Sequence, residues 1–218
     1  MSNPIGWCTD TINPITGCLN GCEYCYARKM AFRLRGRFGY PEDDPFKPTF
    51  HPDKLQDIYN LRGAGKRVFL DSMSDWFSEG VKPDWIKQSL EAVEIKPEHT
   101  FLVLTKRPDN IPYQQFPANL WLGVSVTCQN DVYRIECMLE NVKPDTHTFV
   151  SFEPLHGPIS CDLFGIDWVI IGAESGNRKG KIVPKGEWIW DLMTEADYQK
   201  IPIFLKDNIK PYAPFSIP

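Results

Sequence analysis

Three cysteines, Cys18, Cys22 and Cys25, lie within eight residues of one another in the segment GCLNGCEYCY. Three thiolates held this close together need a positive centre to bind them. An iron–sulfur cluster takes cysteine thiolates on its irons, and three ligands leave one iron open to another molecule. Two glycines in the segment let the backbone wrap around such a group. The C-x3-C-x2-C spacing therefore favours a [4Fe–4S] cluster in a loop at about residues 17–26.

Zinc is the main alternative metal for these thiols. Structural zinc normally takes four Cys or His ligands, and catalytic zinc takes three with a water. The nearest histidine is His51, whereas Cys8 could supply a fourth thiolate. A zinc-stabilised binding module and an unmetallated trio of thiols therefore stay open beside the cluster. A sensor or electron-transfer protein is disfavoured, because such proteins usually give every cluster corner to a protein ligand.

Composition limits the remaining classes. The chain has 218 residues, 42% of them hydrophobic, and a formal net charge of -4. This length allows one sizeable core, so we expect a single domain over 1–218. The acidic balance excludes a generally basic nucleic-acid coat but not a local basic patch. A basic run does follow the cysteines and can attract a polyanion, dock an acidic electron donor or form a solvated face; it contains Arg28, Lys29, Arg33, Arg35 and Arg37.

The cysteine count and the hydropathy pattern bear on the compartment. No apolar stretch approaches the roughly 20 residues that span a bilayer, and the segment after Met1 lacks a basic start followed by an apolar run. Seven cysteines are an odd number, which suits a reducing compartment better than a disulfide framework. We therefore expect a cytoplasmic protein with no membrane partner.

Short apolar runs alternate with helical segments along the chain. The runs are rich in Val, Ile, Leu and Phe, as expected of parallel strands covered on both faces. They predict strands at 7–12, 68–70, 101–104, 120–126, 148–152, 168–171 and 203–205. Helices are predicted at 23–38, 52–60, 84–94, 131–141 and 186–198. Alternation of this kind predicts a parallel α/β sheet, open or curled toward a barrel.

Polar residues follow nearly every predicted strand. Ligands of parallel α/β folds bind at the carboxyl ends of the strands, so these residues predict a shared site. They include Ser72, Asp75, Ser125, Glu153, Glu174 and Lys206. A local role is the alternative for each of them: Asp75 can cap a turn, Ser125 can bond a backbone amide and Glu153 can pair with a nearby cation.

The cysteine motif, with Tyr24 before its last cysteine, resembles the C-x3-C-x-aromatic-C hallmark of the radical S-adenosyl-L-methionine (radical SAM) superfamily. Further segments resemble a phage- and bacteria-associated family of radical SAM character. This second resemblance covers nearly the whole chain. Its segments are 7–25, 68–77, 104–108, 121–126, 151–155 and 172–176.

The resemblance implies a parallel-stranded partial TIM barrel of about six βα units. It places a [4Fe–4S] cluster in the loop after the first strand and SAM across the strand ends. The open iron would bind the amino and carboxylate groups of SAM, whose reductive cleavage gives a 5′-deoxyadenosyl radical that abstracts hydrogen from a substrate. A reductant such as flavodoxin or ferredoxin would supply the electron. Both a small molecule and a nucleotide or nucleic acid stay open as the substrate.

One site assignment departs from the superfamily pattern. Many members place Gly-Gly-Glu after the second strand to hold the amino group of SAM, and this chain has Met73-Ser74-Asp75 there. A carboxylate can still accept the hydrogen bonds of that ammonium group. The resemblance therefore makes Asp75 the candidate acceptor, with Ser72 or Ser74 beside it.

The other cofactor assignments follow the strand ends. Ser125 and Glu153 suit the ribose hydroxyls and other polar groups of SAM. Tyr24 would lie near the adenine, and Gly172 would allow the backbone to approach it closely. Glu174 is expected to face the same cleft, on the same side of the sheet as the cysteine loop.

Overall fold

The computed structural model describes residues 5–213. In chain order its strands are β1 (Asp10–Ile12), β2 (Ile15–Thr16), β3 (Thr49–Phe50), β4 (Arg67–Leu70), β5 (Thr100–Thr105), β6 (Leu120–Ser125), β7 (His147–Phe152), β8 (Trp168–Ile171) and β9 (Ile203–Leu205). Its α-helices are α1 (Tyr26–Arg33), α2 (Leu55–Tyr59), α3 (Pro83–Glu94), α4 (Tyr133–Asn141) and α5 (Gly186–Tyr198). Within the described range, none of the helices is long and apolar enough to cross a membrane.

Seven strands form one sheet in the order β1-β4-β5-β6-β7-β8-β9, and every neighbouring pair is parallel. Strands β2 and β3 form a separate antiparallel pair. After β1, each new strand of the sheet pairs with the strand that precedes it in the sheet order, so the sheet grows in one direction. The twist between neighbouring strands has one hand and adds up along the sheet, which curls it. The architecture is an α/β partial TIM barrel, as the sequence predicted.

The predicted strands agree with the structure more closely than the helices do. Helix α1 covers only part of the predicted helix 23–38. It starts late because the Cys25 thiol caps it by accepting a hydrogen bond from the Arg28 backbone N–H, and the chain leaves helical geometry by Gly36, where φ is +67°. The predicted helices at 52–60 and 131–141 both begin as 3-10 turns before their α-helical parts.

The two faces of the sheet carry different apolar clusters. The outer face packs against the helices and forms the main core. The inner face holds a smaller, aromatic cluster built around Trp7, Phe69 and Phe149. A Cβ atom on Gly123 would lie 2.5 Å from the Phe149 ring. The absence of a side chain at Gly123 therefore makes space for that ring. Trp7 and Phe69 also form an apolar wall of the cavity described next.

Candidate functional site

A cavity of about 390 Å³ opens at the carboxyl ends of the parallel strands. All three motif cysteines line it. Aromatic side chains form much of its wall, and polar side chains converge on it from the strand ends. The polar residues are Asn20, Ser72, Ser74, Asp75, Lys106, Ser125, Ser151, Glu153, Glu174, Ser175 and Lys206. A cavity of this size, apolar with a few convergent polar groups, is typical of a small-molecule site.

Every residue that the sequence analysis assigned to the cluster or to SAM lines this cavity except Gly172. It lies behind two other side chains, since a Cβ atom there would lie 2.8 Å from Lys206 Cδ and 3.1 Å from Glu153 Cδ. The absence of a side chain at Gly172 therefore leaves room for the side chains of Lys206 and Glu153. The ligand roles of the residues named from the sequence, that of Gly172 included, stay predictions.

Backbone contacts fasten the cysteine loop to the segment after β4 and to the segment before β3. The Gly17 N–H donates to the Met73 carbonyl at 2.9 Å, and the Cys18 N–H donates to the Phe46 carbonyl at 3.0 Å. Gly17 has a φ of +84°, and a Cβ atom there would lie 2.1 Å from the Lys47 carbonyl oxygen. Only glycine fits this position. The backbone at residue 47 lies so close to the residue before the first motif cysteine that a side chain there would collide with it.

Backbone amides face two of the three thiols. The Asn20 N–H donates to Cys18 Sγ at 3.4 Å, and the Arg28 N–H donates to Cys25 Sγ at 3.3 Å. Such bonds stabilise thiolates, which are the form that binds metal. Burial raises the pKa of the Cys18 thiol, and the Asn20 amide opposes that shift. All three cysteines are free, so the loop offers three thiols to a ligand.

The positions of these thiols bear on the kind of metal group they can hold. Among residues 5–213, no three His, Cys, Asp or Glu side chains lie close enough to hold a single metal ion. Zinc would bring its sulfur ligands to about 2.3 Å from one centre. An iron–sulfur cluster takes each cysteine on a different iron, so it does not require the sulfurs to meet at one ion.

Asp75 connects the cysteine loop to the sheet. One carboxylate oxygen accepts hydrogen bonds from the Thr105 hydroxyl at 2.6 Å and the Phe77 N–H at 3.1 Å. The other accepts from the Asn20 side-chain amide at 2.7 Å and the Lys106 N–H at 2.8 Å. These four bonds use the acceptor capacity of a carboxylate. A ligand ammonium would have to replace one of them, so the predicted role of Asp75 as its acceptor stays a prediction.

Two buried hydroxyls offer free hydrogen-bonding capacity instead. Ser125 and Ser151 are 1% and 0% exposed, are paired in register across β6 and β7, and both line the cavity. Within residues 5–213 neither Oγ has a hydrogen-bond partner. Leaving a buried hydroxyl unsatisfied costs about 1–3 kcal/mol. A polar ligand or ordered water in the cavity would remove that cost.

A charged pair lies beside these serines. The Lys206 ammonium and the Glu153 carboxylate form a close ion pair, and their side chains are 10% and 21% exposed. Removing two charges from water costs energy that their mutual attraction offsets only in part. Within the cavity, the pair presents one positive and one negative group to a ligand.

A second charged group links the cavity wall to the cysteine loop. The Glu174 carboxylate accepts hydrogen bonds from the Arg178 guanidinium at 2.8 and 2.9 Å, which hold the pKa of Glu174 below its ordinary value. His156 Nε2 lies 3.2 Å from the same carboxylate. The centre of the His156 ring is 5.1 Å from the centre of the Tyr24 ring, and the two ring planes are nearly perpendicular. Burial raises the pKa of the Tyr24 hydroxyl, and the charge of a Cys22 thiolate adds to that shift.

Asp71, at the end of β4, supports a prediction about pH. Its carboxylate accepts hydrogen bonds from the Ile15 N–H at 2.6 Å and from the Trp76 indole, and burial raises its pKa to about 8. The unfolded chain has the ordinary value of 3.8, so the folded state binds the extra proton between the two values. The stability that this proton contributes is fully present below the unfolded-state pKa of 3.8 and is lost as the pH rises to the folded-state pKa of about 8.

We therefore expect Asp71 to lower the free energy of unfolding between pH 4 and about 8. Urea denaturation of the wild type and of Asp71→Asn at each pH measures this, because the difference between the two curves isolates the one group. The wild type should lose more stability over that range than the variant. Parallel curves would show that Asp71 is ionised in the folded protein throughout.

Reasoning from the sequence missed Ser151, and it placed Lys206 at a strand end without finding its partner. Ser151 lies two residues after the inward-facing Phe149, so strand alternation places it on the same face, and this signal was available. Lys206 follows the short strand β9, and its partner Glu153 is 53 residues earlier in the chain. No local pattern connects those two positions, so this pairing needed the sheet order.

The fold and the site define an α/β partial-barrel protein with a cysteine-lined cavity at its strand ends. The chain belongs to the family described as "Protein of unknown function (DUF5131)", whose model matches residues 2–210. No curated protein matches the chain in sequence.

Solved structures of spore photoproduct lyase share the fold. One mutant of that enzyme superposes with a TM-score of 0.59 at 11% identity, over 91% of this chain and 77% of that one. Another mutant, solved with bound AdoMet (SAM) and dinucleoside spore photoproduct, gives a TM-score of 0.56 at 11% identity, over 94% of this chain and 74% of that one. At this identity the likeness is one of fold.

Proposed function

We propose that this protein is a radical SAM enzyme. It would bind a [4Fe–4S] cluster and SAM, and cleave SAM reductively so that a 5′-deoxyadenosyl radical removes hydrogen from a substrate. One observation carries the proposal: three free thiols of a C-x3-C-x2-C motif line the same cavity as two buried hydroxyls that lack partners within residues 5–213. The shared fold with a protein solved with bound AdoMet supports it.

The residues present fit the cluster. Cys18, Cys22 and Cys25 would hold it, and a three-cysteine ligand set leaves one iron for the amino and carboxylate groups of SAM. The backbone amides that face two of these thiols stabilise their negative charge. When bound, the cluster supplies the electron for breaking the sulfonium bond. Reduced flavodoxin or ferredoxin is the proposed source of that electron.

The rest of the cavity fits a polar, zwitterionic cofactor. The Ser125 and Ser151 hydroxyls can bond ribose hydroxyls. Glu153 and Lys206 can exchange their mutual ion pair for charges of opposite sign on the ligand. Apolar walls, Tyr24 among them, keep water from the place where a radical would form. Ser72 and Glu174 are proposed to contribute polar contacts at the edge of the same cavity.

Metal analysis tests the first step of this proposal. Protein reconstituted anaerobically with iron and sulfide is expected to hold about four of each per chain and to show the optical and electron-paramagnetic signatures of a [4Fe–4S] cluster. A protein purified with about one zinc ion and unable to take up sulfide would instead be the zinc-stabilised binding module. That result would contradict the proposed function.

A further inference from the structure

The segment 26–38, here called the basic–aromatic segment, begins directly after the last motif cysteine and is strongly basic. It holds five of the 24 basic residues of the chain and none of the 28 acidic ones. Four of the five are exposed: Lys29, Arg33, Arg35 and Arg37. In the part of the chain that the structure describes, none of these four forms an ion pair with an acidic side chain. The segment is therefore free to bind an anion.

Exposed aromatic rings are interspersed with these cations. Phe32 is 49% exposed and Phe38 is 78% exposed. The Arg35 guanidinium lies 5.3 Å from the centre of the Phe32 ring. Phe38 also has a φ of +53°, a left-handed conformation that bulky residues rarely adopt. Because the Phe38 ring lies in solvent, its packing does not offset the cost of this backbone conformation. Backbone strain of this kind is concentrated at binding sites.

The segment is continuous with the cavity. Tyr26, at its start, is half exposed and also lines the cavity. The Arg28 guanidinium lies 5.2 Å from the centre of the Phe46 ring, which is part of the cavity wall. Arg28 Nε is buried and has no hydrogen-bond partner among residues 5–213. The segment therefore reaches the edge of the cavity at its N-terminal end.

We propose that the basic–aromatic segment binds single-stranded nucleic acid and that the cavity receives one of its nucleotides; this second part rests on the proposed function. The exposed cations neutralise phosphates, and Phe32 and Phe38 stack on bases. A single strand is favoured over a duplex because its bases are free to stack on protein rings. An acidic electron-transfer protein would use the same charges but has no bases for these two rings.

Salt dependence separates the charged contacts from the stacking contacts. Fluorescence anisotropy with a labelled single-stranded DNA of about 16 nucleotides gives the binding constant at several NaCl concentrations. Each phosphate that is neutralised contributes about -0.7 to the slope of log K against log [salt]. Arg33→Ala/Arg35→Ala is expected to make the slope shallower by about 1.4. The matched control Arg62→Ala/Lys87→Ala, at exposed positions outside the segment, should leave slope and affinity unchanged.

The aromatic positions should behave in the opposite way. Phe32→Ala and Phe38→Gly are each expected to weaken binding about 5- to 150-fold with no change in the salt slope. Phe38→Gly also removes the left-handed strain, so its melting temperature should not fall. Loss of binding without loss of stability would separate a stacking role from a structural one.

Three results would overturn the inference. Wild type and segment variants could bind the DNA equally, or duplex of the same sequence could bind as tightly as the single strand. Alternatively, the DNA could fail to bind while segment variants slow reduction by flavodoxin, which would make the segment a docking site for an acidic protein. Cleavage of SAM by wild type is measured in parallel, with and without the DNA. Cleavage without DNA binding contradicts this inference alone. DNA binding without cleavage under either condition contradicts the proposed function and leaves the binding of DNA by the segment standing.

Discussion

Replacing Cys22 by alanine is expected to remove the bound iron and sulfide and to lower formation of 5′-deoxyadenosine at least about 100-fold. The variant should nevertheless fold. Cys22 is half-buried in a loop and belongs to none of the apolar clusters of the described structure. Its loss therefore removes a metal ligand without opening a cavity in the core.

The matched control for this variant is Cys137→Ala. Cys137 lies on α4, is also partly buried and is not among the residues that line the cavity. The control should keep the iron, the sulfide and the cleavage activity of the wild type, and both variants should show the far-ultraviolet circular dichroism of the native fold. A Cys22→Ala protein that keeps four irons and full activity would refute the ligand assignment.

Replacing Asp75 by alanine is expected to lower the free energy of unfolding by about 3–5 kcal/mol. The substitution leaves four donors without their acceptor, among them the Thr105 hydroxyl and the Phe77 N–H, and both of these residues are buried. Each buried donor left unsatisfied costs about 1–3 kcal/mol. Because Asn20 loses its contact as well, the cysteine loop should also hold its cluster less well.

Urea denaturation and iron analysis of the same preparations measure both effects. Asp207→Ala is the matched control, since that carboxylate is 95% exposed and its ion pair with Lys210 is worth at most about 1 kcal/mol. Asp75→Asn keeps one acceptor oxygen, so its loss of stability should be smaller than that of Asp75→Ala. Stability of Asp75→Ala within 1 kcal/mol of wild type would show that the four hydrogen bonds do not hold the site together.

The sheet was predictable because its strands carry local signals. Short apolar runs such as 101–104 and 168–171 are buried on both faces, and each needs only its own residues to be recognised. The cysteine motif is equally local. Strands β2 and β3 have two residues each, too few for any periodic pattern, so their pairing came only from the structure.

The contacts of the site were less predictable than its members. Asp75 was expected at the strand ends, but two of its partners are 55 and 30 residues away, and no local rule selects Asn20 and Thr105. Gly172 was recognised as a close-approach position, yet what approaches it depends on the pairing of β8 with β9 and on the side chains that follow. Residue type and strand position thus predict which residues line the cavity, whereas the hydrogen-bond partners of those residues depend on the order of strands in the folded sheet.

The most direct test of the account is a mass-spectrometric measurement of 5′-deoxyadenosine. Reconstituted wild-type protein is incubated anaerobically with SAM and a reductant, with and without single-stranded DNA, beside Cys22→Ala. We expect 5′-deoxyadenosine and methionine to form in equal amounts with wild type and only at background level with the variant. Wild-type protein that carries a full, reduced [4Fe–4S] cluster and forms no 5′-deoxyadenosine under either condition would contradict it.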